Sequence, residues 1–124
     1  MSYLTRGKRS IMEHEYGVDV REWARHFKVP VPLVQVRIRR GGWYSPTKMR
    51  ISVPPNAYRD SLVHEFAHHL DHVLYSGHGH GPTFRISLVQ AATVAYGRAE
   101  TYNWDREYAT VLSWARKHGL AKEA

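Results

Sequence analysis

The stretch that decides how this chain is read is HEFAHHLDHVLYSGHGHGPTF, residues 64–84, which holds six of the nine histidines. It opens with His64-Glu65-Phe66-Ala67-His68. On an α-helix, residues four apart stand one above the other, with Cβ atoms about 6 Å apart. Two imidazoles at that spacing can hold one zinc ion with bonds of about 2.0–2.1 Å. Glu65 is turned by about 100° from His64, near enough to reach a water on such an ion without crowding the ligands.

This is the H-E-x-x-H pattern of zinc hydrolases. In a chain of this composition the pattern arises by chance about 0.04 times. The plain alternative is a histidine-rich surface helix. A tetrahedral catalytic site needs a third protein ligand, and the candidates are Asp71, His72, His78, His80 and Glu100. With His64 at zero on a helical wheel, His68 lies at about 40°, Asp71 at about −20° and Tyr75 at about 20°. Leu62, Val63, Phe66, Ala67, Leu70, Val73 and Leu74 fill the arc from about 160° to about 300°. One side of the helix is therefore core and the other carries the metal stripe. Asp71 and His72 would make three nearly collinear ligands, so the third should come from beyond the turn expected at Ser76-Gly77.

H-E-x-x-H followed after a short loop by His80-Gly81-Pro82-Thr83-Phe84 resembles the SprT-like zinc metalloproteases, a family that includes DNA–protein crosslink proteases. The resemblance implies His64, His68 and His80 as zinc ligands and Glu65 as the catalytic base, with His78 as the competing third ligand. It implies a zincin-like fold, a protein or peptide substrate and one Zn²⁺ per chain. Glycines that let the backbone close around a metal, and Pro82 suited to the first position of a helix, agree with it. It covers about residues 20–96, strongest at 62–84. The metzincin pattern fails, because it needs Gly and His where this chain has Asp71 and Leu74.

At 124 residues the chain is expected to be a single domain spanning 1–124, large enough to bury a core without staples. Without cysteine there are no disulfides, no zinc ribbon and no thiol nucleophile. No apolar run reaches the eighteen or so residues of a membrane span and no signal-peptide core opens the chain, so the expectation is a soluble, cytoplasmic protein with no membrane partner. The net charge is +7, with thirteen Arg against five Lys, and it is lopsided. Residues 1–60 hold twelve basic and five acidic side chains, and residues 61–124 hold six of each. Between Val31 and Arg59 there are six basic residues and no acidic one. That segment makes DNA a candidate partner, with Arg37, Arg39 and Arg50 as the candidate contacts. A solvated basic surface is the ordinary reading of such a run.

In chain order, residues 1–9 read as a mobile basic arm, with an opening helix as the alternative, and Ser10-x-x-Glu13 as a capping box for a short helix stopped by Gly17. Asp19-x-x-Glu22 opens a second helix over 20–28. The period then changes to two: Val34, Val36 and Ile38 predict a strand, Trp43-Tyr44 a short second, and Met49, Ile51 and Val53 a third. If these strands pair, Arg37, Arg39 and Arg50 share an outer face. Asn56 is a candidate N-cap for a site helix at about 57–76. Pro82 to Tyr96 reads as a helix stopped by Gly97, with Phe84, Leu88, Ala91, Ala92 and Ala95 on its inner face. Asn103 caps a last helix through His118, with Trp104, Tyr108, Val111, Leu112 and Ala115 as its core stripe and Gly119 after its end.

The fold class expected is α+β, a small twisted sheet beside the helix bearing His64 and His68. The function expected is peptide-bond hydrolysis by a zinc-activated water with Glu65 as general base. Tyr44, Tyr75, Tyr96 and Tyr102 are candidate oxyanion donors, and Asp71 is a candidate acceptor that orients a ligand imidazole. A non-catalytic zinc-containing nucleic-acid-binding domain is the alternative.

Overall fold

Thr5 starts the first helix: its hydroxyl accepts the Lys8 N–H at 3.1 Å, satisfying one of the free donors of the first turn. The computed structural model describes residues 4–104 and 111–119. From that cap, helix α1 runs unbroken over Arg6–Phe27, where two helices and a mobile arm were expected. Gly17 lies inside it and costs about 1 kcal/mol relative to alanine. Val20, Trp23 and Ala24, all buried, hold the helix against the core and outweigh that cost. The two capping-box residues serve other ends. Glu13 accepts the Val36 N–H at 2.8 Å, and Asp19 pairs with Arg59 at 3.1 Å.

Three strands follow: β1 (Leu33–Val36), β2 (Trp43–Ser45) and β3 (Arg50–Val53). They form one sheet in the order β1-β3-β2, with β1 parallel and β2 antiparallel to β3. Tyr44 stands opposite the fully buried Ile51, and Val36 opposite Val53. Strand β3 lies in the middle, and Ser52 is buried along with Ile51 and Val53. Alternation in sequence thus did not mean a wet face here. Ile38 was expected in the first strand. It is 66% exposed, because the backbone pairing ends with the Arg37 N–H on the Val53 carbonyl and the chain then turns. Arg37 and Arg39 are exposed and Arg50 is half-buried.

Helix α2 spans Arg59–Tyr75 and begins at Tyr58; Asn56 is not its cap but sits in a left-handed turn with φ 55°. Its fully buried stripe ends at Leu70; Val73 is half-buried and packs against the core, and Leu74 is 45% exposed. Ser76 closes the helix in the left-handed region (φ 53°), and its N–H bonds the His72 carbonyl. Helix α3 runs over Pro82–Tyr96, with Pro82 in the first turn and Gly97 (φ 76°) as the stop, both as expected, and Gly81 as its N-cap. It packs along α2 through Phe84, Leu88, Ala91 and Ala92, which are fully or almost fully buried.

A 3-10 turn at Ala99–Thr101, not anticipated, leads to α4 (Val111–Lys117). Trp104, Val111 and Ala115 are buried as expected, and Gly119 has φ 70°. The first turn expected for this last helix, with Tyr108, lies outside the described residues, as does the Leu112 side chain. The observed class is α+β: four helices and a three-stranded sheet among the described residues. Among these, no helix is long and apolar enough to cross a membrane.

Candidate metal centre

Three imidazoles meet at one point. Helix α2 supplies His64 and His68, and the loop before α3 supplies His80. Nε2 of His68 lies 3.2 Å from Nε2 of His64 and 3.1 Å from Nε2 of His80. Among the described residues these three form the group whose ligand atoms all lie within 4.8 Å of one another. Tetrahedral bonds of about 2.0–2.1 Å would set neighbouring ligand atoms about 3.3–3.4 Å apart. The observed spacing matches that edge, so the three residues fit a metal ion.

Local sequence explains how the third imidazole arrives. The left-handed Ser76 turns the chain off α2, and Gly79 (φ 78°) supplies a conformation that a β-carbon resists. Gly77 has a second constraint: a β-carbon there would overlap the Asp71 carboxylate. Asp71 is therefore neither an exposed helix carboxylate nor bonded to a ligand imidazole in any described contact. It is buried (1% exposed), lies under the loop, and its Oδ1 has no hydrogen-bond partner among the described residues. Phe84, the last residue of the quoted stretch, is fully buried beneath the imidazoles. Its ring centroid is 4.2 Å from that of His68, in a stacked arrangement, 4.8 Å from His80 and 5.1 Å from His64.

Glu65 is 6% exposed and lines the same open cleft, about 360 Å³ in volume, as His64 and His68. Its side chain lies against Gly42: a β-carbon at 42 would sit 3.0 Å from Glu65 Cγ and 2.9 Å from the Ser52 carbonyl oxygen. The Gly41-Gly42 turn thus makes room for the carboxylate. Trp43, Tyr44 and Pro46 form the opposite wall. The Arg39 guanidinium stacks 4.4 Å over the Trp43 ring, placing one of the three candidate arginines near the cleft.

The remaining candidates go elsewhere. His78 lines the cleft but is not one of the three converging residues. Glu100 is paired with Arg98 (3.5 Å) and Arg116 (3.6 Å). Of the four tyrosines, Tyr44 lines the cleft; Tyr96 bonds Asp60, Tyr102 packs on Trp104, and Tyr75 is exposed at the end of α2.

A second histidine cluster escaped the sequence reading. His69 is fully buried, with Nε2 2.7 Å from the Pro30 carbonyl oxygen and Nδ1 2.7 Å from the Tyr44 hydroxyl. His72 Nδ1 lies 3.0 Å from the same hydroxyl. Burial is the main force that lowers the His69 pKa, opposed by the Pro30 carbonyl and aided by nearby His72, so the ring is held neutral. Burial also pushes the Tyr44 phenol up to about 12. A signal existed: on the wheel His69 lies at about 140°, beside the apolar arc. No family model, no curated protein and no solved structure matches the chain.

Proposed function

We propose that this chain is a zinc-dependent metallopeptidase of the SprT-like, zincin-like kind. The observation that carries the reading is the convergence of three imidazoles, with His68 Nε2 3.1–3.2 Å from those of His64 and His80, beside a nearly buried glutamate in an open cleft. His64, His68 and His80 would hold the ion. When bound, zinc supplies Lewis acidity, making water a competent nucleophile near neutral pH and polarising a carbonyl. Glu65 takes the proton from the attacking water and passes it to the leaving amine. Its side chain reaches from α2 into the space that the missing β-carbon of Gly42 leaves open. Phe84 keeps the three rings in register from below. As neutral ligands, unlike thiolates, the three imidazoles would leave the charge of the ion undiminished, which favours such acidity.

The test is metal content together with hydrolysis of fluorescein-labelled casein. Wild-type protein supplied with zinc should carry about one ion per chain and cleave. Glu65→Gln should keep the ion and lose cleavage. No bound metal in the wild type, or cleavage by metal-replete Glu65→Gln, would overturn the reading.

Arg39 stacked on Trp43 beside the cleft favours a second reading, a non-catalytic zinc domain that binds nucleic acid. The exposed Arg37 and the half-buried Arg50 belong to the same basic segment. It predicts binding of single-stranded DNA that weakens steeply with salt, and loss of that binding in Arg39→Glu, with no casein cleavage by the wild type.

A further inference from the structure

We infer that His72 holds the substrate in this cleft, its Nε2 lone pair set by a hydrogen-bonded relay through Tyr44 and His69 to accept an N–H of the bound peptide. The ligand's identity rests on the hydrolase reading above; the relay does not.

The relay follows from matching donors to acceptors, starting at the buried end. The Pro30 carbonyl can only accept, so His69 must carry its proton on Nε2 and donate it there at 2.7 Å. A neutral imidazole then has a lone pair on Nδ1, and the group placed to donate to it is the Tyr44 hydroxyl, at 2.7 Å. That hydroxyl has spent its one proton. Its oxygen can therefore only accept from His72, which must carry its proton on Nδ1 and donate at 3.0 Å. In the neutral ring this leaves the second nitrogen of His72 as a bare lone pair.

The surroundings give that lone pair a use. His72 lines the cleft with Glu65, His64 and Trp43, and it is not among the three side chains that converge on the metal position. It is thus a polar acceptor beside the ion's site but not in it. A peptide lying along the cleft presents backbone N–H groups that lose water on binding and need acceptors. A free histidine, which favours the proton on Nε2, would offer a donor instead. The fully buried His69, both nitrogens satisfied, is what holds the whole chain in the acceptor state. His72 touches the substrate; Tyr44 and His69 are positioning residues.

Two measurements test this. Two-bond nitrogen–proton NMR correlations of the zinc-loaded protein, ¹⁵N-labelled at histidine, should show the proton of His69 on Nε2 and that of His72 on Nδ1. In Tyr44→Phe the His72 proton should move to Nε2. A wild-type His72 protonated on Nε2, or a tautomer unchanged in Tyr44→Phe, would overturn the relay. On labelled casein, His72→Ala should raise KM by roughly three- to tenfold, the weight of one hydrogen bond, with kcat nearly unchanged. His72→Gln, whose amide oxygen can accept, should recover most of that. Tyr44→Phe should raise KM in the wild type and add nothing in His72→Ala. An unchanged KM in His72→Ala, or additive effects, would remove His72 from substrate binding. If the wild type cleaves nothing, the hydrolase reading fails and takes the peptide role with it, while the tautomers still decide the relay.

Discussion

Helix α2 carries two clusters of histidines barely a turn apart, and they behave in opposite ways. In the first, His64 and His68 lie at the edge of the cleft, and His80 joins them from another segment so that three nitrogens face one point. In the second, His69 is wholly buried and each of its nitrogens meets a single neutral partner, the Pro30 carbonyl and the Tyr44 hydroxyl. The residue type is the same and so is the helix. What differs is the set of neighbours: three convergent imidazole nitrogens can hold a cation, whereas an imidazole between one donor and one acceptor is a neutral strut.

The sharpest way to break this contrast is to remove one member of each cluster and compare. His68→Ala should reduce zinc from about one ion per chain to a small fraction while the metal-free protein keeps its melting temperature, as a site at the cleft edge implies. Metal retained at full occupancy in that variant would dissolve the first cluster. His69→Ala should do the reverse. It leaves a void and strips the Pro30 carbonyl and Tyr44 of a partner, costing about 2–4 kcal/mol in urea unfolding, yet zinc stoichiometry should stand. A His69→Ala protein as stable as the wild type would show that the buried strut contributes nothing.

A smaller effect is expected where the two regions meet the loop. Gly77→Ala drives a β-carbon into the Asp71 carboxylate and should cost about 1–3 kcal/mol and weaken zinc binding by shifting the segment that carries His80. Competition against a chelator measures it; unaltered zinc affinity would mean that this turn does not position the third imidazole. The smallest change lies outside both clusters. Gly17 sits in the middle of α1 with open space where a β-carbon would go, so Gly17→Ala should add about 0.5–1 kcal/mol of stability and leave zinc affinity alone. Were zinc affinity to rise with it, the separation between fold stability and metal holding would be lost.

Legibility followed the same divide. The pair on α2 could be read because the i, i+4 spacing forces His64 and His68 onto one face whatever else the chain does. The helix over Pro82–Tyr96 was equally plain, since Pro82 and Gly97 mark its ends by backbone geometry that few other residues share. Helix α1 was misread because Ser10, Glu13, Gly17 and Asp19 look like local punctuation. Glu13 and Asp19 instead meet Val36 and Arg59, 23 and 40 residues away, and no local pattern reveals such partners. Strand burial also defied alternation: Ser52 is covered because β3 lies in the middle of the sheet, and Ile38 is exposed because β1 ends before it.

The sequence by itself determined that two histidines and a glutamate share one helix and that a glycine-rich turn leads to a third histidine, because helical spacing and backbone preference act over a few residues. It also settled the α+β class, through the change of period between helices and strands. Only the tertiary structure decided that His80 and not His78 completes the group, that Gly42 makes room for Glu65, and that His69 is a buried strut joined to Tyr44 and Pro30. Those outcomes depend on which segments the hydrophobic core brings together, and contacts 25 and 39 residues apart leave no periodic trace along the chain.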